Sequence, residues 1–127
     1  DIQIREDGSL KLGTLAQYVL DRRIPLEMCL YSNLHTGACK NLTEHPFGLF
    51  FRNGFRVCLN TDDRLMSDTT MTKETVLATE LFDLSLAELE RLNMNAVKSA
   101  FAPFDTRVDI IYNTIKAGYA AIRGERE

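Results

Sequence analysis

An α/β fold with parallel strands, part of a sheet or barrel larger than itself, is what this sequence predicts. Two apolar, strand-like runs, Leu26–Tyr31 and Phe55–Asn60, begin about 30 residues apart. A loop, a helix and a turn lie between them, the length and order of one βαβ unit with parallel strands. Everything downstream reads as helix. Two parallel strands make no stable sheet, and both runs read as buried on both faces, so their neighbours must come from elsewhere. A full (β/α)8 barrel takes about 250 residues, roughly twice the 127 here.

The elements follow in order. After a turn at Gly8, Leu10, Leu12, Leu15, Tyr18 and Val19 recur at helical spacing. That helix should end near Asp21-Arg22-Arg23, because Pro25 disfavours helix at Ile24. Leu26 to Tyr31 reads as a short buried strand, Ser32-Asn33 as polar punctuation and Thr36-Gly37 as a loop. Thr43 is a candidate N-cap for Phe47–Arg52, with Pro46 at the helix start and Asn53-Gly54 at its stop. The second strand follows at once. Thr72 can cap Lys73–Phe82, and Ser85-Leu86-Ala87-Glu88 is a capping box opening Leu86–Met94. Asn95–Phe101 reads as a further turn or two of helix. From Asp105 an amphipathic stretch sets Val108, Ile111, Ile115 and Tyr119 on one face.

Composition narrows the function classes. With 45% apolar and 26% charged residues the chain is globular, and it has no apolar run of the roughly 20 residues that span a bilayer. A net charge of −3 without a basic face argues against nucleic acid as a partner. Cys29, Cys39 and Cys58 form no CxxC pair and cannot all be paired, which suits free thiols in a reducing, cytoplasmic setting. The opening Asp1-Ile2-Gln3-Ile4, with no Met, reads as a cut end.

In parallel α/β folds, chemistry gathers at the carboxyl ends of the strands. Ser32 and Asn33 follow the first strand; Thr61, Asp62 and Asp63 follow the second. A carboxylate there can ligate a metal or hydrogen-bond a substrate ring, and two adjacent ones can serve separate roles. A solvated or helix-capping Asp pair fits the chemistry equally well.

The wider pattern decides between these. Val57-Cys58-Leu59-Asn60-Thr61-Asp62-Asp63, followed by Leu65-Met66-Ser67, resembles the last-strand motif SLNTDDP of adenosine deaminases. Pro25-Leu26-Glu27-Met28-Cys29 through Ser32-Asn33-Leu34 and Thr36-Gly37-Ala38 is similar to the family's preceding strand and loop, PLEVCPTSNxxTGA. Glu44-His45-Pro46 matches the next helix start. Asn95-Ala96-Val97-Lys98-Ser99-Ala100-Phe101, with Pro103-Phe104-Asp105, is similar to the C-terminal NAxKSxFLP segment. The motifs run in order over most of the chain, and Arg64-Leu65-Met66-Ser67 looks most like the actinobacterial branch.

The resemblance implies the C-terminal part of a (β/α)8 TIM-type barrel, its last two strands plus terminal helices, with residues 1–127 as one segment of a single deaminase domain. It implies hydrolytic deamination of adenosine or deoxyadenosine to inosine or deoxyinosine and ammonia, by a zinc-activated water. Asp62 matches the zinc-ligating, catalytic aspartate, and Asp63 the aspartate that hydrogen-bonds a purine ring nitrogen. The N-terminal part of the same protein would supply the remaining zinc ligands and the catalytic acid. This chain has no HxH and no His-x-x-Glu, and one carboxylate cannot hold a catalytic zinc that ordinarily takes three protein ligands, so alone it should be inactive. Leu30, Tyr31 and Arg64 depart from the family's residues. Related AMP and adenine deaminases, or a barrel that has lost catalysis and serves binding or structure, are the alternatives.

The other conspicuous residues take plainer roles. His35 suits a loop-packing or solvent-facing position and His45 support of a helix start. Cys29 and Cys58 suit small buried apolar groups. Met28, Met94 and the Phe47, Phe50 and Phe51 cluster suit core.

Overall fold

The computed structural model describes residues 1–7 and 9–124. It opens on a hairpin, β1 (Ile2–Ile4) antiparallel to β2 (Leu10–Leu12), with Ile2 opposite Leu12 and Ile4 opposite Leu10. The helix expected to include Leu10 and Leu12 therefore starts later, as α1 (Thr14–Asp21). Leu10-Lys11-Leu12 fits a period of two as well as one of 3.6, and the facing Ile2-Gln3-Ile4 decides for strand. The Gly8 turn lies outside the described residues. The start of α1 is capped from a distance: the Asp1 carboxylate accepts from Leu15 N at 2.9 Å and Ala16 N at 3.1 Å. Gly13 permits this approach, since a Cβ there would sit 2.3 Å from Asp1 Oδ2.

The expected parallel pair is present. In β3 (Leu26–Met28) and β4 (Val57–Leu59), Leu26 pairs with Val57, Glu27 with Cys58 and Met28 with Leu59. Asn60 N donates to the Met28 carbonyl at 2.9 Å, carrying the ladder to the carboxyl ends of both strands. All of β4 is buried, but Glu27 of β3 is exposed, so one face of that strand is open where two buried faces were expected.

The expected strand through Tyr31 stops at Met28, and Ser32-Asn33, expected as polar punctuation after it, lie within helix α2 (Leu30–His35). A short apolar run does not distinguish strand from helix by its pattern, and the helix start here is held by a residue far along the chain. A 3₁₀ turn, Leu42–Glu44, precedes α3 (Phe47–Arg52). Thr43 is not the cap. Its hydroxyl donates to Asn41 Oδ1, and Asn41 accepts from Glu44 N at 3.0 Å. His45 supports α3 as expected, Nδ1 accepting from Phe47 N at 3.1 Å.

Helix α4 (Met71–Phe82) is capped by Thr70, whose Oγ1 accepts from Lys73 N at 3.1 Å, and not by Thr72. The capping box of α5 (Leu86–Ser99) forms as expected: Ser85 N donates to Glu88 Oε2 and Glu88 N to Ser85 Oγ. The helix expected over Leu86–Met94 and the further turn or two expected over Asn95–Phe101 form one element that ends at Ser99, with no Gly or Pro before Pro103 to interrupt it. Beyond Pro103, α6 (Phe104–Asp109), a π-helical stretch Ile110–Lys116 and α7 (Ala117–Arg123) follow end to end, with Ile111 the most buried residue of the predicted apolar face.

The core lies between the parallel pair and helices α3, α4 and α5. Phe47, wholly buried, has its ring centroid 6.0 Å from that of Phe51 and 5.0 Å from that of Phe82, and Leu30, Val57, Ala78 and Leu92 close around them. Helix α5 packs along β4, and Asn95 Nδ2 donates to the Val57 carbonyl at 3.1 Å.

Candidate functional site

The carboxyl ends of β3 and β4 lie side by side, and the residues that follow them build the site. Asp62 sits with φ at +53°, in the left-handed region. Asp tolerates that conformation better than most residues, and such a turn marks a place where side-chain direction outweighs backbone ease. The carboxylate reaches across to the β3 side, where Ser32 Oγ donates to Asp62 Oδ2 at 2.7 Å. Ser32 is buried and Asp62 is exposed, so a buried hydroxyl holds one oxygen of an exposed carboxylate.

Asp63 turns the other way. Its Oδ1 accepts from Met66 N at 3.1 Å and its carbonyl accepts from Ser67 N at 3.0 Å, closing the turn over residues 63–67. Leu65 and Met66 are exposed on that turn. The adjacent carboxylates thus have separate environments, one tied to the neighbouring strand end and one to its own turn.

Two networks hold α2, the helix that carries Ser32. At its start, Leu30 N donates to Glu74 Oε2 at 3.0 Å, and the Thr69 hydroxyl donates to Glu74 Oε1 at 2.9 Å. Glu74 is wholly buried. One turn along, the Asn33 side-chain amide lies 2.9 Å from His45 Nε2. Burial holds the His45 pKa below the ordinary imidazole value. With Nδ1 accepting from Phe47 N, the neutral ring carries its proton on Nε2, and the Asn33 amide, whose oxygen and nitrogen exchange places by a flip, meets it through Oδ1.

These contacts also settle the other candidate ligands. Both nitrogens of His45 are engaged, and His35 is exposed on α2 against Tyr31. The Cys29 thiol is pushed up to about 11, mainly by burial and then by the Asp62, Glu74 and Glu27 carboxylates. Burial raises the Cys58 thiol too, and it donates to Ser99 Oγ at 3.6 Å. Neither is disposed to be a thiolate. Among the described residues no group of three His, Cys, Asp or Glu is arranged to hold a metal. The donor set fits one ligand of a zinc site, the exposed carboxylate of Asp62, and not a whole one. A groove between α2 and α4, lined by Tyr31, His35, Lys73 and Val76, does not include the Asp pair.

Asp62 and Asp63 were visible in the sequence, and Asn95 as part of a family motif; Glu74 and the Ser32–Asp62 link were not. A signal for Glu74 exists in its spacing, since it shares a helical face with Ala78 and Phe82 and is the charged member of an otherwise apolar row.

Comparison with known proteins agrees with the motifs. The family described as adenosine deaminase matches residues 2–117. Adenosine deaminase 1 of Streptomyces coelicolor is 52% identical over 125 residues, covering 98% of this chain and 32% of that protein. The adenosine deaminase of Mycobacteroides abscessus is 50% identical over 124 residues, covering 98% and 34%. This chain therefore spans about a third of the length of these relatives. Among solved structures, an adenine deaminase from Arthrobacter aurescens superposes with a TM-score of 0.77 at 22% identity, covering 84% of this chain and 32% of that one. The N6-methyl-AMP deaminase of Arabidopsis thaliana does so with a TM-score of 0.71 at 23% identity, covering 91% and 33%. The two structures share the fold, and the match over residues 2–117 shows that this chain belongs to the adenosine deaminase family.

Proposed function

We propose that these 127 residues are the C-terminal part of a single (β/α)8 deaminase domain, contributing its last two strands and terminal helices. The complete protein would hydrolyse adenosine or deoxyadenosine, water replacing the exocyclic amino group to give inosine or deoxyinosine and ammonia. The observation that carries this reading is Asp62: an exposed carboxylate at the carboxyl end of β4, held by a buried hydroxyl from the end of β3. The coverage of about a third of each relative leaves room for the other strands. Relatives near half identity are named adenosine deaminases, whereas the adenine and N6-methyl-AMP deaminases stand at 22% and 23%, which favours the nucleoside as substrate.

In this arrangement Asp62 would hold zinc together with ligands from the N-terminal part of the protein. Zinc, when bound, acidifies its water to near neutral pKa. Ser32 keeps Asp62 turned toward the strand ends. Asp63, with Oδ1 occupied by Met66 N, has Oδ2 left for a purine ring nitrogen, a contact that needs a proton on one of the two, since otherwise both only accept. We place this enzyme of purine metabolism in the cytoplasm, where its free thiols would stay reduced.

The test is deamination of adenosine, followed by ultraviolet absorbance, in the full-length protein stripped of metal and then given zinc. Activity should return with zinc, and Asp62→Asn should lose more than the roughly hundredfold that removal of an outer-shell partner costs. A folded, zinc-loaded protein that leaves adenosine, AMP and adenine unchanged would refute deamination and favour a binding or structural role.

A further inference from the structure

Glu74 is a wholly buried carboxylate that the deamination reading does not use. Its two oxygens are committed to two different segments. Oε2 accepts from Leu30 N, the first amide of α2, and Oε1 accepts from the Thr69 hydroxyl, in the loop that leaves Asp62 and Asp63. Cys29, the residue at the cap position of α2, provides no side-chain cap. A residue 44 positions away therefore satisfies that amide. Ser32, which holds Asp62, lies two residues beyond Leu30, and Thr69 lies just past the turn that Asp63 closes. Removing the carboxylate would strand the buried Leu30 N–H, and buried donors are costly to leave unpaired.

We propose that Glu74 is a positioning residue for this site: from α4 it clamps the segments that follow β3 and β4, and so sets the Ser32–Asp62 contact. The inference rests on the reading of Asp62 as the zinc-binding aspartate. Hydrogen-bonded partners of a metal ligand commonly tune affinity or activity by 10- to 100-fold; Glu74, acting through Leu30 and Ser32, is expected at the lower end.

Three variants of the full-length protein test it. Glu74→Leu keeps bulk and removes both acceptors. Glu74→Gln keeps an acceptor for Leu30 N and can donate to Thr69, whose hydroxyl rotates to accept. Thr69→Val removes one arm alone and remains informative where Glu74→Leu fails to fold. Expected are a roughly tenfold fall in kcat with KM for adenosine within about twofold, and a similar fall in zinc affinity by chelator competition, for Glu74→Leu. Thr69→Val should show a smaller fall, and Glu74→Gln should recover within about threefold of the parent. Parent-like kcat and zinc affinity in Glu74→Leu, or in Thr69→Val where Glu74→Leu does not fold, overturns the proposal. Amide exchange separates this failure from failure of the deaminase reading. If the parent neither binds zinc nor deaminates, the clamp still predicts faster exchange at Leu30 in Glu74→Leu, or in Thr69→Val, with Asn60 unchanged. Unchanged protection at Leu30 would end it.

Discussion

Replacing Ser32 by Ala isolates the single contact that fixes Asp62. The hydroxyl donates to Oδ2 at 2.7 Å, a short, charge-assisted geometry. Hydrogen bonds to charged groups contribute about 1.5–3 kcal/mol. Asp62 is exposed, so water can replace the lost donor, and the lower end of that range applies. About 1.5 kcal/mol is close to a tenfold change in an equilibrium constant. If Asp62 ligates zinc as proposed, zinc should therefore dissociate about tenfold more readily from Ser32→Ala, measured by competition with a chromogenic chelator, with kcat reduced in parallel. Ser32 is only 4% exposed, and its carbonyl still accepts from Thr36 Oγ1 in the variant, so α2 should persist and far-ultraviolet circular dichroism should not change. A variant that keeps parent zinc affinity within twofold, while folded, would refute the assignment of Asp62 as a ligand oriented by Ser32.

Further outcomes follow from the same geometry. Asn95→Leu leaves the Val57 carbonyl without its donor and should lower stability by about 1–3 kcal/mol in urea unfolding. His45→Asn can keep an acceptor near Phe47 N while removing a titrating group. Because burial lowers the folded-state pKa of His45, the unfolded chain binds more protons around and below the unfolded value of about 6.5. The parent should lose that part of its stability as pH falls through 6.5, and His45→Asn should show a flatter pH profile of Tm. Gly48→Ala would bring a Cβ to 2.7 Å from the Phe82 ring and should cost about 1–3 kcal/mol by overpacking, read as a lower Tm. With its pKa near 11, Cys29 is thiolate at about one part in a thousand at pH 8. Iodoacetamide followed by peptide mass mapping should find it almost unmodified in the native protein.

How far the chain can be read from its sequence depends on how local each cause is. The capping box of α5 was legible because both partners lie within four residues, Ser85 and Glu88. The parallel order of β3 and β4 was legible because a βαβ unit has a characteristic length. Helix α2 was not, since its first amide is satisfied by Glu74 from α4 and the local run Leu30-Tyr31 suits a strand equally well. The hairpin escaped for the same reason: three alternating residues carry little period, and its evidence is the pairing of Ile2 with Leu12. At the site, the position of Asp62 and Asp63 after a buried strand could be read directly. Which of the two leans on β3 could not, because that depends on Ser32, 30 residues earlier and on a helix that local pattern did not show.

The left-handed turn at Asp62 explains why the two adjacent carboxylates meet different partners. In extended backbone, successive side chains alternate across the strand, and Asp62 and Asp63 would then leave on opposite faces of the sheet. With φ at +53°, Asp62 instead comes to the β3 side at the strand ends, while Asp63 opens the next turn through Met66 and Ser67. The strand must stop for this to happen, and it does: β4 ends at Leu59 and its ladder at Asn60. A glycine at position 62 would keep the turn and lose the carboxylate, whereas a β-branched residue there would resist the turn itself. Position 62 therefore asks for two things together, an acidic group and tolerance of a positive φ, and Asp meets both better than Glu, whose longer chain lacks the local backbone bonds that ease the left-handed conformation.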